Sequence, residues 1–238
     1  MFILKQIFFF SNLITMLKVL CLHGYGANGK FMEEYQAKDL KLLLPFLDME
    51  FLDGPFDMPP HMVKDPTLHE LIPDKKFKNW KKYSGIDSRH ISKFPSFDEG
   101  VQTIIDNIER VGGIDGLLGF SMGGAVVLNF LAGIESGKID IKYKPKFVIL
   151  VSTGITALPV AKPVDMPSIH VTGELDGNLY GDGLATSALF VNPLVILHEE
   201  GHKFPTFARS DVNKMMRYLK HILLKKHPEL LRAPRPRL

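Results

Sequence analysis

Gly116-Leu117-Leu118-Gly119-Phe120-Ser121-Met122-Gly123-Gly124-Ala125 is a short apolar run that breaks at a serine set between two glycines. Its length suits a buried strand, and after the serine Val126, Val127, Phe130, Leu131 and Ile134 continue at helical spacing until about Gly137. Strand, tight turn and helix around Gly119-x-Ser121-x-Gly123 make a candidate nucleophile elbow, a strained turn that holds a serine hydroxyl above the edge of a sheet. The glycines have a steric explanation: a side chain at 119 or 123 would collide with the neighbouring strand or helix where the turn is tightest. So short a string is weak evidence by itself, and its weight comes from the strand before it and the helix after it.

The flanking sequence repeats the same alternation. Upstream, Ser96-Phe97-Asp98-Glu99 is a capping box that opens a helix with the stripe Val101, Ile104, Ile105 and Ile108, ended by Gly112-Gly113. Lys18–His23 reads as the first core strand, Asn28–Leu44 as a helix and Met49–Asp53 as a second strand. Downstream, Phe147–Ser152, Ser168–Thr172 and Leu194–His198 are three more short β-rich runs, and Val212, Met215, Leu219, Ile222 and Leu223 mark a last amphipathic helix from Thr206 to about His227. This order predicts an α/β protein with a doubly wound, mostly parallel sheet and a ligand site outside the carboxyl ends of its strands. Residues 54–95 carry six prolines and no sustained periodicity, and they read as a lid-like excursion over the surface. Within it, Trp80 and Phe77 among their lysines divide between surface packing and an acyl-facing lid surface.

Composition sets the outer limits. With 238 residues, 45% of them hydrophobic, the chain is long enough for one sizeable core, here residues 17–227, followed by a basic tail at 228–238. A formal net charge of +3 with both signs interspersed gives no case for nucleic acid as the main partner. One cysteine, Cys21, excludes an internal disulfide and lies in an apolar run, which fits a buried thiol and a reducing, cytoplasmic setting. The apolar start, residues 1–16, is interrupted by Lys5-Gln6 and Ser11-Asn12, lacks a small-residue cleavage site and is too short to span a membrane. Two readings of it stay open, a loosely packed extension and a targeting or membrane-touching segment, and Met16 is an alternative start.

The chemistry of an elbow serine requires a base within hydrogen-bond reach and a carboxylate that fixes the base's tautomer. In this topology the chain order is serine, acid, histidine. After Ser121, the loops at strand ends offer Glu174 and Asp176, then His198 and His202. Asp176, beside Gly177 in a turn, is the preferred acid, with Glu174 and Asp182 as substitutes. His202 follows Gly201 in the loop before the last helix and is the preferred base, whereas His198 still belongs to its strand. An oxyanion is expected to meet two backbone N–H groups, those of Met122 directly after the serine and of Tyr25 in the glycine turn after the first strand. His23 reads as architectural. No His-Glu-x-x-His, cysteine pair or phosphate-cradling loop occurs, so neither metal nor cofactor is expected.

Lys18-Val-Leu-Cys-Leu-His-Gly-Tyr-Gly26, Phe51-Leu-Asp-Gly-Pro55, Gly119-Phe-Ser-Met-Gly-Gly124, Gly173-Glu-Leu-Asp176 and Gly201-His-Lys-Phe-Pro205 together resemble the family of serine hydrolases found in fungi and animals. The resemblance runs from about Leu17 to the last helix. It implies an α/β-hydrolase fold, a cofactor-free esterase or thioesterase acting on a small acyl substrate, and nucleophile, acid and base at Ser121, Asp176 and His202. The chain departs from the family after Asp176, where Gly177-Asn-Leu-Tyr-Gly-Asp-Gly183 replaces an apolar pair and proline, and in its apolar start. Acyl-protein thioesterases share the Gly-Phe-Ser-x-Gly-Gly elbow and are the nearest competing family. A non-catalytic member of the fold that binds a lipid or a protein is the remaining alternative.

Overall fold

The computed structural model describes residues 16–82, 97–154 and 163–228, without the side chains of 178–180. Six strands form one parallel sheet: β1 (Leu17–Leu22), β2 (Leu47–Leu52), β5 (Gly116–Phe120), β6 (Phe147–Val151), β7 (Ser168–Gly173) and β8 (Leu194–His198), in the order β2-β1-β5-β6-β7-β8. The chain first steps from β1 outward to β2, then returns to the other side of β1 with β5. This reversal leaves a crevice above the carboxyl ends of β1 and β5, the place where such sheets bind ligands.

Side chains alternate across the sheet and feed two cores. On one face Val19, Cys21, Leu118, Phe120, Ile149 and Val151 pack against the final helix α7 (Arg209–Lys226) through Val212, Met215, Leu219, Ile222 and Leu223. Leu20, Leu22, Leu117, Val148 and Leu150 face the other way, onto α4 (Asp98–Arg110) and α5 (Met122–Glu135). Burial of Cys21 among these groups pushes its thiol pKa far up, so the cysteine is an inert apolar filler. The helix expected over 28–44 is present in pieces: α1 (Gly29–Phe31) runs into a π-helical turn (Met32–Gln36) before α2 (Lys38–Leu43). Asn28 caps it, its Oδ1 accepting the Phe31 N–H at 2.7 Å. The capping residue proposed for α4, Ser96, lies outside the described residues.

The excursion after β2 differs from the surface loop expected. Its described part, 54–82, folds into a two-stranded ribbon of β3 (Phe56–Asp57) and β4 (Lys78–Asn79) with the short helix α3 (Pro66–Leu71). Met58, Val63, Leu68, Ile72 and Phe77 make a third apolar cluster with Ala27 and Phe31. Trp80 is fully buried in the main core, which corrects both surface readings of it. No side chain fits at Gly54, whose missing Cβ would lie 2.6 Å from the Asn79 carbonyl carbon, so the ribbon is clamped directly onto the end of β2. The remainder of the excursion, 83–96, is outside the described residues. A further helix, α6 (Asn178–Ser187), follows Asp176 where the sequence pattern gave none. No described helix is long and apolar enough to cross a membrane.

Candidate active site

Ser121 occupies the turn between β5 and α5 with φ 53° and ψ −117°, a left-handed conformation that costs a side-chain-bearing residue about 1–3 kcal/mol. Close contacts on every side hold it there. A Cβ on Gly119 would lie 2.5 Å from the Gly124 nitrogen, one on Gly123 would lie 2.6 Å from the His23 carbonyl oxygen, and one on Gly124 would meet the Thr153 side chain. The start of α5 is thereby pressed onto the ends of β1, β5 and β6, and the Ser121 N–H is fixed by the Val151 carbonyl at 3.0 Å. The serine hydroxyl is left facing the crevice.

His202 meets it there. Its Nε2 stands 2.8 Å from Ser121 Oγ, while its Nδ1 lies 2.9 and 3.0 Å from the two carboxylate oxygens of Asp176. The carboxylate can only accept, so Nδ1 carries the proton and Nε2 presents a lone pair to the serine hydroxyl. Asp176 has a side chain only 3% exposed, whereas that of His202 is 37% exposed, so the carboxylate is sheltered and the imidazole open to the crevice. Phe120 packs 5.2 Å from the His202 ring and an equal distance from Phe204, giving the imidazole an aromatic wall.

The loops that carry Asp176 and His202 form one unit. Glu174 N–H donates to the His198 carbonyl at 2.8 Å and Leu175 N–H to the Glu200 carbonyl at 3.2 Å. A Cβ on Gly173 would lie 2.6 Å from the Gly201 carbonyl oxygen, so the two loops touch through backbone. Glu200 ties its own loop by accepting the Thr206 N–H and pairing with Lys203. Glu174, the substitute acid, is exposed, and His198 ends β8 with its Nδ1 accepting the Glu200 N–H. Burial lowers the pKa of His198, opposed by the nearby carboxylates.

On the opposite wall, the turn after β1 adjoins the serine: a Cβ on Gly24 would sit 3.4 Å from Ser121 Cβ and 2.9 Å from Phe120 Cδ1. Tyr25 follows in this turn and Met122 opens α5, whose first amide groups have no acceptor within the helix. Beneath them His23 is completely buried. Its Nδ1–H donates to the Gly24 carbonyl at 2.7 Å and its Nε2 accepts the Gly54 N–H at 3.0 Å, while Trp80 Nε1–H donates to the His23 carbonyl at 2.8 Å. Burial pushes the imidazole pKa down to about 4, so His23 is a neutral strut under the turn. Sequence reasoning missed Trp80, Gly54 and Phe204 as supports.

Among the described residues no group of three His, Cys, Asp or Glu side chains is placed to hold a metal ion. Comparison with known proteins identifies the family and the fold. The family model described as "Serine hydrolase (FSH1)" matches residues 12–214. "Esterase OVCA2" of Mus musculus is 25% identical over 208 residues, covering 81% of this chain and 91% of its own length. "Esterase C25G4.2" of Caenorhabditis elegans is 27% identical over 204 residues, covering 81% and 88%. Among solved structures, SOBER1 of Arabidopsis thaliana superposes with a TM-score of 0.55 at 17% identity, over 87% of this chain and 99% of that one. The fold is that of the α/β hydrolases, and the chain belongs to the FSH1 serine hydrolase family.

Proposed function

We propose that this chain is a serine-dependent carboxylesterase in which Ser121, His202 and Asp176 act as nucleophile, base and orienting acid. Ser121 Oγ attacks the ester carbonyl carbon while its proton passes to His202 Nε2, and the imidazolium that forms is stabilised by Asp176. The tetrahedral oxyanion is met by the N–H groups of Met122 and Tyr25, each such donor being worth about 3 kcal/mol. Collapse expels the alcohol, which takes the proton from His202 and leaves an acyl-enzyme. Water then loses a proton to His202, attacks the acyl carbon and releases the acid, restoring the serine. Only protein groups take part, so the scheme needs no cofactor.

The observation that carries this reading is the continuous hydrogen-bond relay from Ser121 Oγ through both nitrogens of His202 to Asp176. The esterase names of the relatives favour an oxygen ester over a thioester as substrate. The test is labelling by a fluorophosphonate, together with hydrolysis of p-nitrophenyl esters of increasing chain length and of acyl-CoA thioesters. Wild type is expected to label and to turn over the esters, and Ser121→Ala to do neither, with an activity loss of about 10⁴-fold or more. Undiminished labelling or hydrolysis by Ser121→Ala refutes the assignment, and preferential turnover of the thioesters refutes the substrate class.

A further inference from the structure

The described part of the excursion, 54–82, grips the glycine turn after β1. Lys78 N–H donates to the Ala27 carbonyl at 2.8 Å and Asn28 Nδ2–H to the Lys76 carbonyl at 2.9 Å, while a Cβ on Gly26 would meet Val63 Cγ2 at 3.2 Å. At the start of the turn the contacts converge on His23 and Trp80, both completely buried, with their rings 4.9 Å apart.

Two successive peptide planes are fixed there. The His23 carbonyl accepts the Trp80 indole N–H at 2.8 Å, which sets the plane between His23 and Gly24. The Gly24 carbonyl accepts the His23 Nδ1–H at 2.7 Å and the Ala27 N–H at 3.3 Å, which sets the plane between Gly24 and Tyr25. No peptide bond among the described residues is cis, and in a trans peptide the N–H points opposite to the carbonyl. A Gly24 carbonyl held onto the buried imidazole therefore turns the Tyr25 N–H away from the core, in a turn that adjoins Ser121. The imidazole can donate from Nδ1 and accept at Nε2 in only one of its neutral tautomers. Gly54 N–H selects that form, since it donates to Nε2 at 3.0 Å and leaves that nitrogen no proton. Two histidines of the site thus have their tautomers set by opposite means: a carboxylate accepts from His202, and an amide donates to His23.

We infer that His23 is a positioning residue for the reaction: held as the Nδ1–H tautomer by Gly54, it orients the peptide that carries the Tyr25 N–H toward the oxyanion. The inference rests on the esterase reading and on Tyr25 as an oxyanion donor. It gives the excursion the task of building the oxyanion site from behind. Such a donor meets full charge only as the tetrahedral intermediate forms, so loss of its orientation lowers kcat and spares KM.

Three substitutions separate this role from simple packing. In His23→Asn an amide nitrogen stands in the place of Nδ1 and can still donate to the Gly24 carbonyl. His23→Gln can reach the Gly54 N–H with its carbonyl oxygen but not the Gly24 carbonyl, and His23→Leu can do neither. The test is kcat and KM of each on a soluble p-nitrophenyl ester, with kcat expressed per site titrated by end-point fluorophosphonate labelling, so that lost folded protein does not enter. His23→Asn is expected within about tenfold of wild type and the other two about 100-fold lower, all with KM within about threefold. In wild type labelled with ¹⁵N-histidine, long-range proton–nitrogen correlation is expected to show His23 protonated on Nδ1 at neutral pH. Equal kcat per site in all three variants assigns His23 to packing alone and overturns the inference, as does a loss carried by KM or a His23 protonated on Nε2. A wild type that neither labels nor hydrolyses esters refutes the esterase reading and this inference with it, whereas any of the former results in an active wild type refutes this inference alone.

Discussion

Gly119→Ala offers a demanding trial of the reasoning about the elbow, because the residue touches neither substrate nor the hydrogen-bond relay. Its new methyl group would stand 2.5 Å from the Gly124 nitrogen and 2.8 Å from the Gly123 carbonyl carbon, whereas ordinary contact begins at 3.4 Å. All the obstructing atoms are backbone, so no side chain can swing aside. The first turn of α5 must retreat from β5 by about 1 Å, and Ser121, at the pivot, moves with it. A shift of that size stretches the 2.8 Å contact between Ser121 Oγ and His202 Nε2 beyond hydrogen-bond range. Misplacement by about 1 Å costs on the order of 100-fold in rate, and overpacking costs about 1–3 kcal/mol in stability. The assays are kcat/KM on a soluble ester and the urea midpoint, with Gly112→Ala as control. At Gly112, φ is +70° and nothing lies within 4 Å of the added methyl group, so only backbone strain of about 1–2 kcal/mol is expected, with activity intact. If Gly119→Ala kept activity within about threefold of wild type, or if Gly112→Ala lost as much, the steric account of the elbow would be wrong.

Two further outcomes concern stability. Burial holds the pKa of both His23 and His170 near 4, so in the folded state they stay neutral where the unfolded chain, titrating near 6.5, takes up protons. The unfolded state binds more protons between those values, and stability is therefore full above about pH 6.5 and falls as pH drops toward 4. The urea midpoint should reveal a loss of about 2 kcal/mol per histidine between pH 7.5 and pH 5, and an unchanged midpoint would contradict their neutral burial. Asp115→Asn is expected to cost about 2 kcal/mol in the same measurement, since it strands Lys226 and Lys146, which lie 2.6 and 3.0 Å from the carboxylate. Burial raises the Asp115 pKa, but hydrogen bonds from Lys226, the Lys18 amide and Lys146 outweigh it and leave the carboxyl below its ordinary value. Its contribution is present above about pH 4 and disappears as pH falls through the lowered pKa, so the variant should lose less stability below pH 4 than wild type does.

Much of the architecture was legible because it is written in local patterns. The strand preceding Ser121 announces itself by length and apolarity, and the tight turn by glycines whose absent side chains have no room. Chain order narrowed the candidate acid to Asp176, Glu174 or Asp182 and the candidate base to His202 or His198, since parallel strands deliver their loops to one edge in a known sequence. What escaped depends on contacts distant in sequence or works against propensity. Trp80 lies in a segment rich in lysine and proline, and its burial is decided by a carbonyl 57 residues away. Helix α6 contains Gly181 and Gly183 in its first turns, and the close approach of Gly183 to Thr172 explains a residue that helix propensity alone disfavours.

The position of Trp80 also gives the protein an optical probe of its own. It is the one tryptophan in the chain, and it sits 4.9 Å from the His23 ring with its indole N–H held by the carbonyl that begins the Tyr25 turn. All tryptophan fluorescence therefore originates directly beneath the wall that faces Ser121. Loosening of that wall admits water to the indole and moves the emission to longer wavelength. The wall beside the serine can thus be followed in solution without attaching a label to it.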